Sequence, residues 1–345
     1  MRNYLLAVLA LILAGLGAGR AQAPATISVV RLDPALDEVV PKGATLQKVA
    51  GDFIFTEGPV WVRKGRGGSL LFSDIPANVI RQWTPDGKVS VFLEHSGFTG
   101  TDATDVGGEY DSERGKFYLL GSNAVTVDRE GRVVFCAHGD RAIVRVENDG
   151  KRTVLADRYE GKRLNSPNDL VFKADGALYF TDPSAGLRQR DADPKKELPF
   201  QGVYLLKDGK LQLLTRDMAL PNGLAFSPDE KYLYVDDTSK KSVMRYEVQP
   251  DDTIAYGRVF ADMSADKAPG NPDGMKVDKK GNIYCTGPGG VWIFSPEGKH
   301  LGTIVTPEVA ANLAFGEANG ASLFITARSS LYRIRLKVPG IMASK

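Results

Sequence analysis

Along most of the chain, apolar residues alternate with polar ones in short runs bounded by Gly, Pro, Asn or Asp, the pattern of half-buried strands joined by tight turns. Helical spacing is nearly absent. One unit recurs: two or three apolar or aromatic residues, a small polar residue, a turn, then apolar residues ending near an arginine. Its copies begin at Ser69 (SLLFSDIPANVIRQW), Arg132 (RVVFCAHGDRAIVRV), Ala177 (ALYFTDPSAG), Tyr232 (YLYVDDTSKKSVMRY), Asn282 (NIYCTGPGGVWIF) and Ser322 (SLFITARSSLYRI). Each predicts a pair of strands, and upstream of each lies a further short strand: EGPVW, NAVTV, NDLVF, NGLAF, DGMKV and ANLAF. Following turns such as TPDGK, ENDGK and SPEGK leave room for a fourth. Six such units in series predict an all-β chain folded as a six-bladed β-propeller, in which radial repetition leaves only short, protected sheet edges.

Nothing interrupts the series, so residues 51–345 are read as one propeller preceded by an extension at 24–50. The segment 183–201, PSAGLRQRDADPKKELPFQ, is long, charged and unpatterned. It splits the third blade and reads either as a lid or binding loop or as a solvated insertion. Residues 1–23, MRNYLLAVLALILAGLGAGRAQA, combine a basic Arg2, an apolar stretch at 5–16 and small residues up to Ala23. This is the layout of a secretory signal peptide, with an apolar stretch short for a membrane span. The mature chain is therefore expected to be exported, periplasmic or secreted, and free of the membrane.

The 44 basic and 42 acidic residues nearly cancel. Such a balance offers no surplus for neutralising phosphates and no polybasic run for anionic lipid, so a small molecule, not a nucleic acid, is the expected ligand. Cys136 and Cys285 align one repeat position apart, on opposite faces of their strands and in the second and fifth blades, and no disulfide is expected between them.

Aligned on their last large residue, the upstream strands begin with Glu57, Asn123, Asn168, Asn222, Asp273 and Ala311. Five of these six are Glu, Asn or Asp, and equivalent blades would set them at one height around the propeller axis. Carboxylate and amide oxygens in an adaptable ring suit Ca2+, with Mg2+, Mn2+ or Zn2+ as alternatives. Asn and Asp also cap turns, which accounts for Asn123 taken alone. Glu is a poor turn former, and its reach favours a ligand ring. Asp273 is followed by Gly274, a pair that ordinarily marks a hairpin turn but here stands ahead of a strand, where a glycine lets the backbone approach closely.

Of the three histidines, His138 falls just past an inner strand of the second blade, where it could bind substrate or shuttle a proton, and His300 reads as a surface residue. No Gly-x-Ser-x-Gly nucleophile elbow is present. The GPGG at 287–290 lacks the lysine and helix of a phosphate loop and reads as a turn.

The motifs TEGPVW, GKRLNSPNDLVF, ALYFTDP, KELPFQGVYLL, LPNGLAFSPDEKYLYV and NPDGMKVDKKGNIYCTGPGGVWIFSPEGKHLGTI, in this order between Glu57 and Phe315, resemble the SMP-30/gluconolactonase/LRE family in its bacterial gluconolactonase-like branch. The resemblance implies a six-bladed propeller with one divalent metal in its central channel, held by residues matching Glu57, Asn222 and Asp273. It implies that Asn168, beside Asp169, joins the metal or substrate site, and that Asp273 is the catalytic base. Some members carry a sugar-binding arginine two residues before the Asn-Asp pair; here that place is Ser166, with Arg163 nearby. The implied activity is metal-dependent hydrolysis of a sugar lactone such as glucono-1,5-lactone, with Asp169, Asn168, Asn123, His138 and Arg163 as candidate substrate contacts. The alternatives are another calcium-dependent esterase or lactonase and a propeller that only binds a ligand around a structural calcium, since one architecture hosts many functions.

Overall fold

The computed structural model describes residues 28–65 and 67–343, so the signal peptide expected at 1–23 lies outside the described residues. Six antiparallel sheets form the blades, and the only helical pieces among the described residues are two short 3-10 turns, Pro34–Glu38 and Arg190–Ala192. Every strand that the alternation places ahead of a repeat copy is the first strand of a blade. These inner strands are Thr56–Lys64, Ser122–Val127, Leu170–Phe172, Pro221–Phe226, Met275–Val277 and Ala310–Gly316.

Period-2 alternation decides which blade each side chain packs against. Val60 and Leu71 bury toward the second blade, while their neighbours Trp61, Leu70 and Phe72 bury toward the sixth. Six apolar clusters result, each filling the gap between two adjacent blades, and the cluster holding Trp61 and Phe324 closes the circle between the sixth blade and the first. The same alternation separates the thiols. Cys136 packs between blades two and three and Cys285 between blades four and five, both buried and both free.

Of the segment read as an extension at 24–50, the described residues 28–50 are built into the propeller. Gln47–Ala50 pairs with Ser330–Arg335 as the outer strand of the sixth blade, and Val29–Arg31 pairs with His300–Val305 as a fifth strand on the fifth. The 183–201 segment lies, as its composition predicts, between the second and third strands of blade three, Leu178–Asp182 and Gly202–Lys207. A further excursion connects the first blade to the second and carries a hairpin, Gly108–Ser112 with Gly115–Leu119, that the repeat pattern does not reveal.

Candidate metal and active centre

The first strands leave their ladders at the aligned residues. In blades two, four and six the pairing with the second strand slips where Asn123, Asn222 and Ala311 stand, and in blade one it slips just past Glu57, which still pairs with Ser73. Such bulges re-aim side chains away from the sheet, here toward the axis. In blades three and five, Asn168 and Asp273 sit just before the ladders at Leu170 and Met275 begin. Hydroxyls from the second strands lock this ring to the neighbouring blades: Ser73 Oγ donates to the Asn123 carbonyl at 2.7 Å and Thr181 Oγ1 to the Asn222 carbonyl at 2.8 Å. The Ala124 N–H donates to the Asn168 carbonyl at 3.0 Å.

Glu57, Asn123, Asn168 and Asn222 are buried, and Asp273 keeps part of its surface open. The side-chain oxygens Oδ1 of Asn123, Asn168 and Asn222 have no hydrogen-bond partner. Buried amide oxygens are rarely left so, and three around one axis form a prepared acceptor set. Two carboxylates stand with them. Burial holds both Glu57 and Asp273 well above the usual carboxylate range; the charge of Asp169 adds to the rise at Glu57, and those of Glu57, Asp236 and Asp169 add to it at Asp273. One buried and one part-open carboxylate with three orphaned amide oxygens match a hard divalent cation. Among the described residues no three of His, Cys, Asp and Glu cluster as a metal site. The donor set rests on amides, which residue type alone does not flag.

One position beyond the ring, four blades carry Gly58, Ala124, Gly223 and Gly274, while blades three and six carry Asp169 and Asn312. Asn312 Nδ2 donates to Asp169 Oδ2 at 3.3 Å, and Lys276 Nζ lies 3.9 Å from the same oxygen. A Cβ on Gly274 would lie 2.2 Å from the Asn312 side chain, so this glycine makes room for a neighbour and forms no turn. Asp169, Lys276 and Asn312 border the inner end of a cavity of 840 Å³ in the channel on the far side of the ring.

His138 is buried, its Nε2 3.2 Å from Asn123 Nδ2, and burial holds its imidazole down at about 4. Asn222 Nδ2 donates to Thr238 Oγ1 at 3.1 Å. Arg163 stands apart from the ring, its Nη2 donating to the Asp140 carbonyl at 2.9 Å and its backbone N–H donating to Glu197 Oε2 at 2.7 Å. His300, read as a surface residue, is half-buried and stacks on Trp292 with ring centroids 3.8 Å apart. Sequence reasoning missed Asn312, Lys276 and the buried Asp236. Asn312 lies one place past the aligned Ala311, and Asp236 occupies the place where other blades carry Ser73, Thr181, Thr286 and Thr326.

Residues 55–329 match the SMP-30/Gluconolactonase/LRE-like region. The chain is 38% identical over 322 residues to a gluconolactonase of Zymomonas mobilis, covering 90% of this chain and 87% of that protein. It is 30% identical over 212 residues to the pentonolactonase XacC of Haloferax volcanii, covering 59% and 65%. A solved gluconolactonase of Xanthomonas campestris superposes with a TM-score of 0.76 at 35% identity, over 90% of this chain and 95% of that one. The chain belongs to the SMP-30/gluconolactonase/LRE-like family.

Proposed function

We propose that the chain is a divalent-metal-dependent lactonase that opens a sugar lactone such as glucono-1,5-lactone to its aldonic acid. The observation that carries the metal is the set of three buried, unpartnered amide oxygens beside the carboxylates of Glu57 and Asp273, both held above the usual range by burial and by neighbouring negative charge. Glu57, Asn168, Asn222 and Asp273 would hold the ion, Ca2+ by preference. When bound, such an ion supplies a Lewis acid that polarises a carbonyl and favours charge on its oxygen.

The chain's own residues supply the rest. Asp273 is the ring carboxylate that keeps part of its surface open, and it takes the proton of the attacking water. The water oxygen bonds to the lactone carbonyl carbon, the ring C–O bond breaks, and Asp273 returns the proton it took to the leaving alkoxide as the ring opens. Asn123 and Asn168 orient the substrate through their amides, with His138 setting the Asn123 amide. Asp169 is tied by Asn312 and Lys276 and serves as a buttress below the ring. The 183–201 segment comes up against His138, where a Cβ on Gly186 would lie 3.0 Å from its ring, and would serve as a lid or binding loop there.

Proton release from glucono-1,5-lactone by the purified mature protein tests the proposal, first after chelation and then with calcium, magnesium, manganese or zinc restored. Activity lost on chelation and recovered with one ion supports it. Activity that survives complete chelation overturns the metal dependence. No turnover with any ion overturns the substrate. Export belongs to the same proposal and is tested by the N-terminal sequence of the protein recovered from outside the cytoplasm, expected to begin at Pro24.

A further inference from the structure

In four blades the ladder between first and second strands ends on equivalent pairs: Thr56 with Asp74, Ser122 with Ala137, Pro221 with Asp237, and Ala310 with Ala327. The next residue of each second strand occupies one position above the ring: Ile75, His138, Thr238 and Arg328. In blades two and four this residue meets the amide of its own ring member, His138 with Asn123 and Thr238 with Asn222. In blade six the ring member is Ala311, which offers nothing, and the position carries a cation.

Arg328 is seated beside Glu57. Its carbonyl accepts from the Thr56 N–H at 2.7 Å and from Thr56 Oγ1 at 3.0 Å. No carboxylate pairs with its guanidinium among the described residues; Nη1 donates to the Tyr110 hydroxyl at 3.1 Å, and the guanidinium carbon lies 5.5 Å from the Tyr110 ring. Tyr110 belongs to the Gly108–Ser112 hairpin strand and packs on Phe55 with centroids 4.7 Å apart. The hairpin is anchored by Arg114 Nη1 to the Phe53 carbonyl and by Arg188 stacked 3.5 Å over Tyr118. Meanwhile Ser166, two residues before Asn168, spends its hydroxyl on the Pro183 carbonyl and the Gly186 N–H and is not free for a substrate.

We propose that Arg328, held by Tyr110, is a specificity-determining residue: it binds the hydroxyl-bearing edge of the lactone and the carboxylate released from it. This rests on the lactonase reading above. The ring presents acceptor oxygens from five blades, and Arg328 adds donors on the sixth. A guanidinium fork matches a carboxylate in two parallel bonds and equally serves hydroxyl oxygens. An unsubstituted lactone lacks the hydroxyls for it to hold before the ring opens.

The test compares wild type, Arg328→Met, Arg328→Lys and Tyr110→Phe on glucono-1,5-lactone and on δ-valerolactone, together with calorimetric binding of gluconate. Arg328→Met is expected to lose about tenfold or more in kcat/KM on the hydroxylated lactone beyond any loss on δ-valerolactone, mostly through KM. Gluconate binding should weaken by a similar factor, with Lys restoring part of both and Tyr110→Phe falling between. Equal losses on the two lactones, or unchanged gluconate binding, overturn the proposal. If wild type turns over neither lactone, the lactonase reading fails and gluconate binding alone decides. A weaker grip in Arg328→Met then supports the role of Arg328, and equal or absent binding in both proteins overturns it.

Discussion

His138 Nε2 lies 3.2 Å from the amide nitrogen of Asn123, and this contact leaves Asn123 Oδ1 as the atom without a partner. A neutral imidazole accepts at Nε2, whereas a protonated one repels the amide N–H and favours a flipped amide. Burial lowers the imidazole from 6.5 to about 4 in the folded chain. The unfolded chain therefore binds a proton between those values that the folded chain refuses, and stability must fall as pH drops through that window. Full burial makes the effect large, on the order of 2.5 kcal/mol between pH 7 and pH 4.5. His138→Gln keeps an acceptor for Asn123 and removes the titration. Urea unfolding at the two pH values should show a smaller acid loss in the variant by about that amount; identical losses would refute the assignment.

The amide oxygens of the ring give a prediction independent of turnover. Asn222→Leu keeps the side-chain volume and removes an orphaned acceptor. In wild type, calcium at about one hundred times its dissociation constant should stabilise the chain by about 2.7 kcal/mol. That response should fall to near zero in Asn222→Leu, read as the shift in thermal midpoint with and without the ion. A full response in the variant would remove Asn222 from the ligand set.

Asp273 is separable from its neighbours by chemistry. Asp273→Asn preserves shape and an oxygen while removing the proton acceptor and the repulsion with Glu57. Turnover should fall by about a hundredfold or more, as for loss of a general base. Metal-free stability should hold or rise, because a like charge beside the buried Glu57 is gone. A variant with wild-type kcat would exclude Asp273 as the base.

Gly274 tests how tightly the ring is packed. A Cβ there would meet Asn312 Cγ at 2.2 Å and, more tellingly, Asn312 Cα at 2.5 Å. Trimming the amide cannot relieve a backbone clash. Gly274→Ala should cost about 2–4 kcal/mol, and adding Asn312→Ala should fail to rescue it. Rescue would show that the glycine serves only the side chain.

How much of this was legible follows from what repetition exposes. Short apolar runs and turn residues mark the first three strands of most blades, because those strands are covered on both faces by adjacent blades and so carry consecutive apolar residues such as those of Val133–Ala137 and Leu178–Asp182. The ring was legible because Glu57, Asn168, Asn222 and Asp273 recur at one offset from a large apolar residue. What lies outside the repeat was not. Arg328 looks like one more turn residue until the ladder registers place it beside Glu57. The hairpin strands Gly108–Ser112 and Gly115–Leu119 are short and largely polar, and their partners are Phe53, Phe55 and Arg188, distant in sequence. Outer strands such as Gln47–Ala50 face solvent and carry little apolar signal, which is why residues 24–50 read as an extension.

That segment supplies a prediction about closure. Asp33 caps the turn Pro34–Glu38 by accepting from the Ala35 N–H at 2.8 Å, and Pro34 fits its first position because a proline there forfeits no helical bond. The turn drives Leu36 into the cluster between blades five and six, where it is fully buried with Tyr284, Leu313 and Ile334. Downstream, Gln47–Ala50 completes blade six, joining the start of the chain to its last strands. Leu36→Ala should therefore cost about 2–5 kcal/mol, the range for a leucine removed from a close-packed core. If 24–50 were an appendage outside the propeller, the same substitution would leave the urea midpoint within error of wild type. A large loss, with the metal response intact, would establish that the ring is closed by its N-terminal segment.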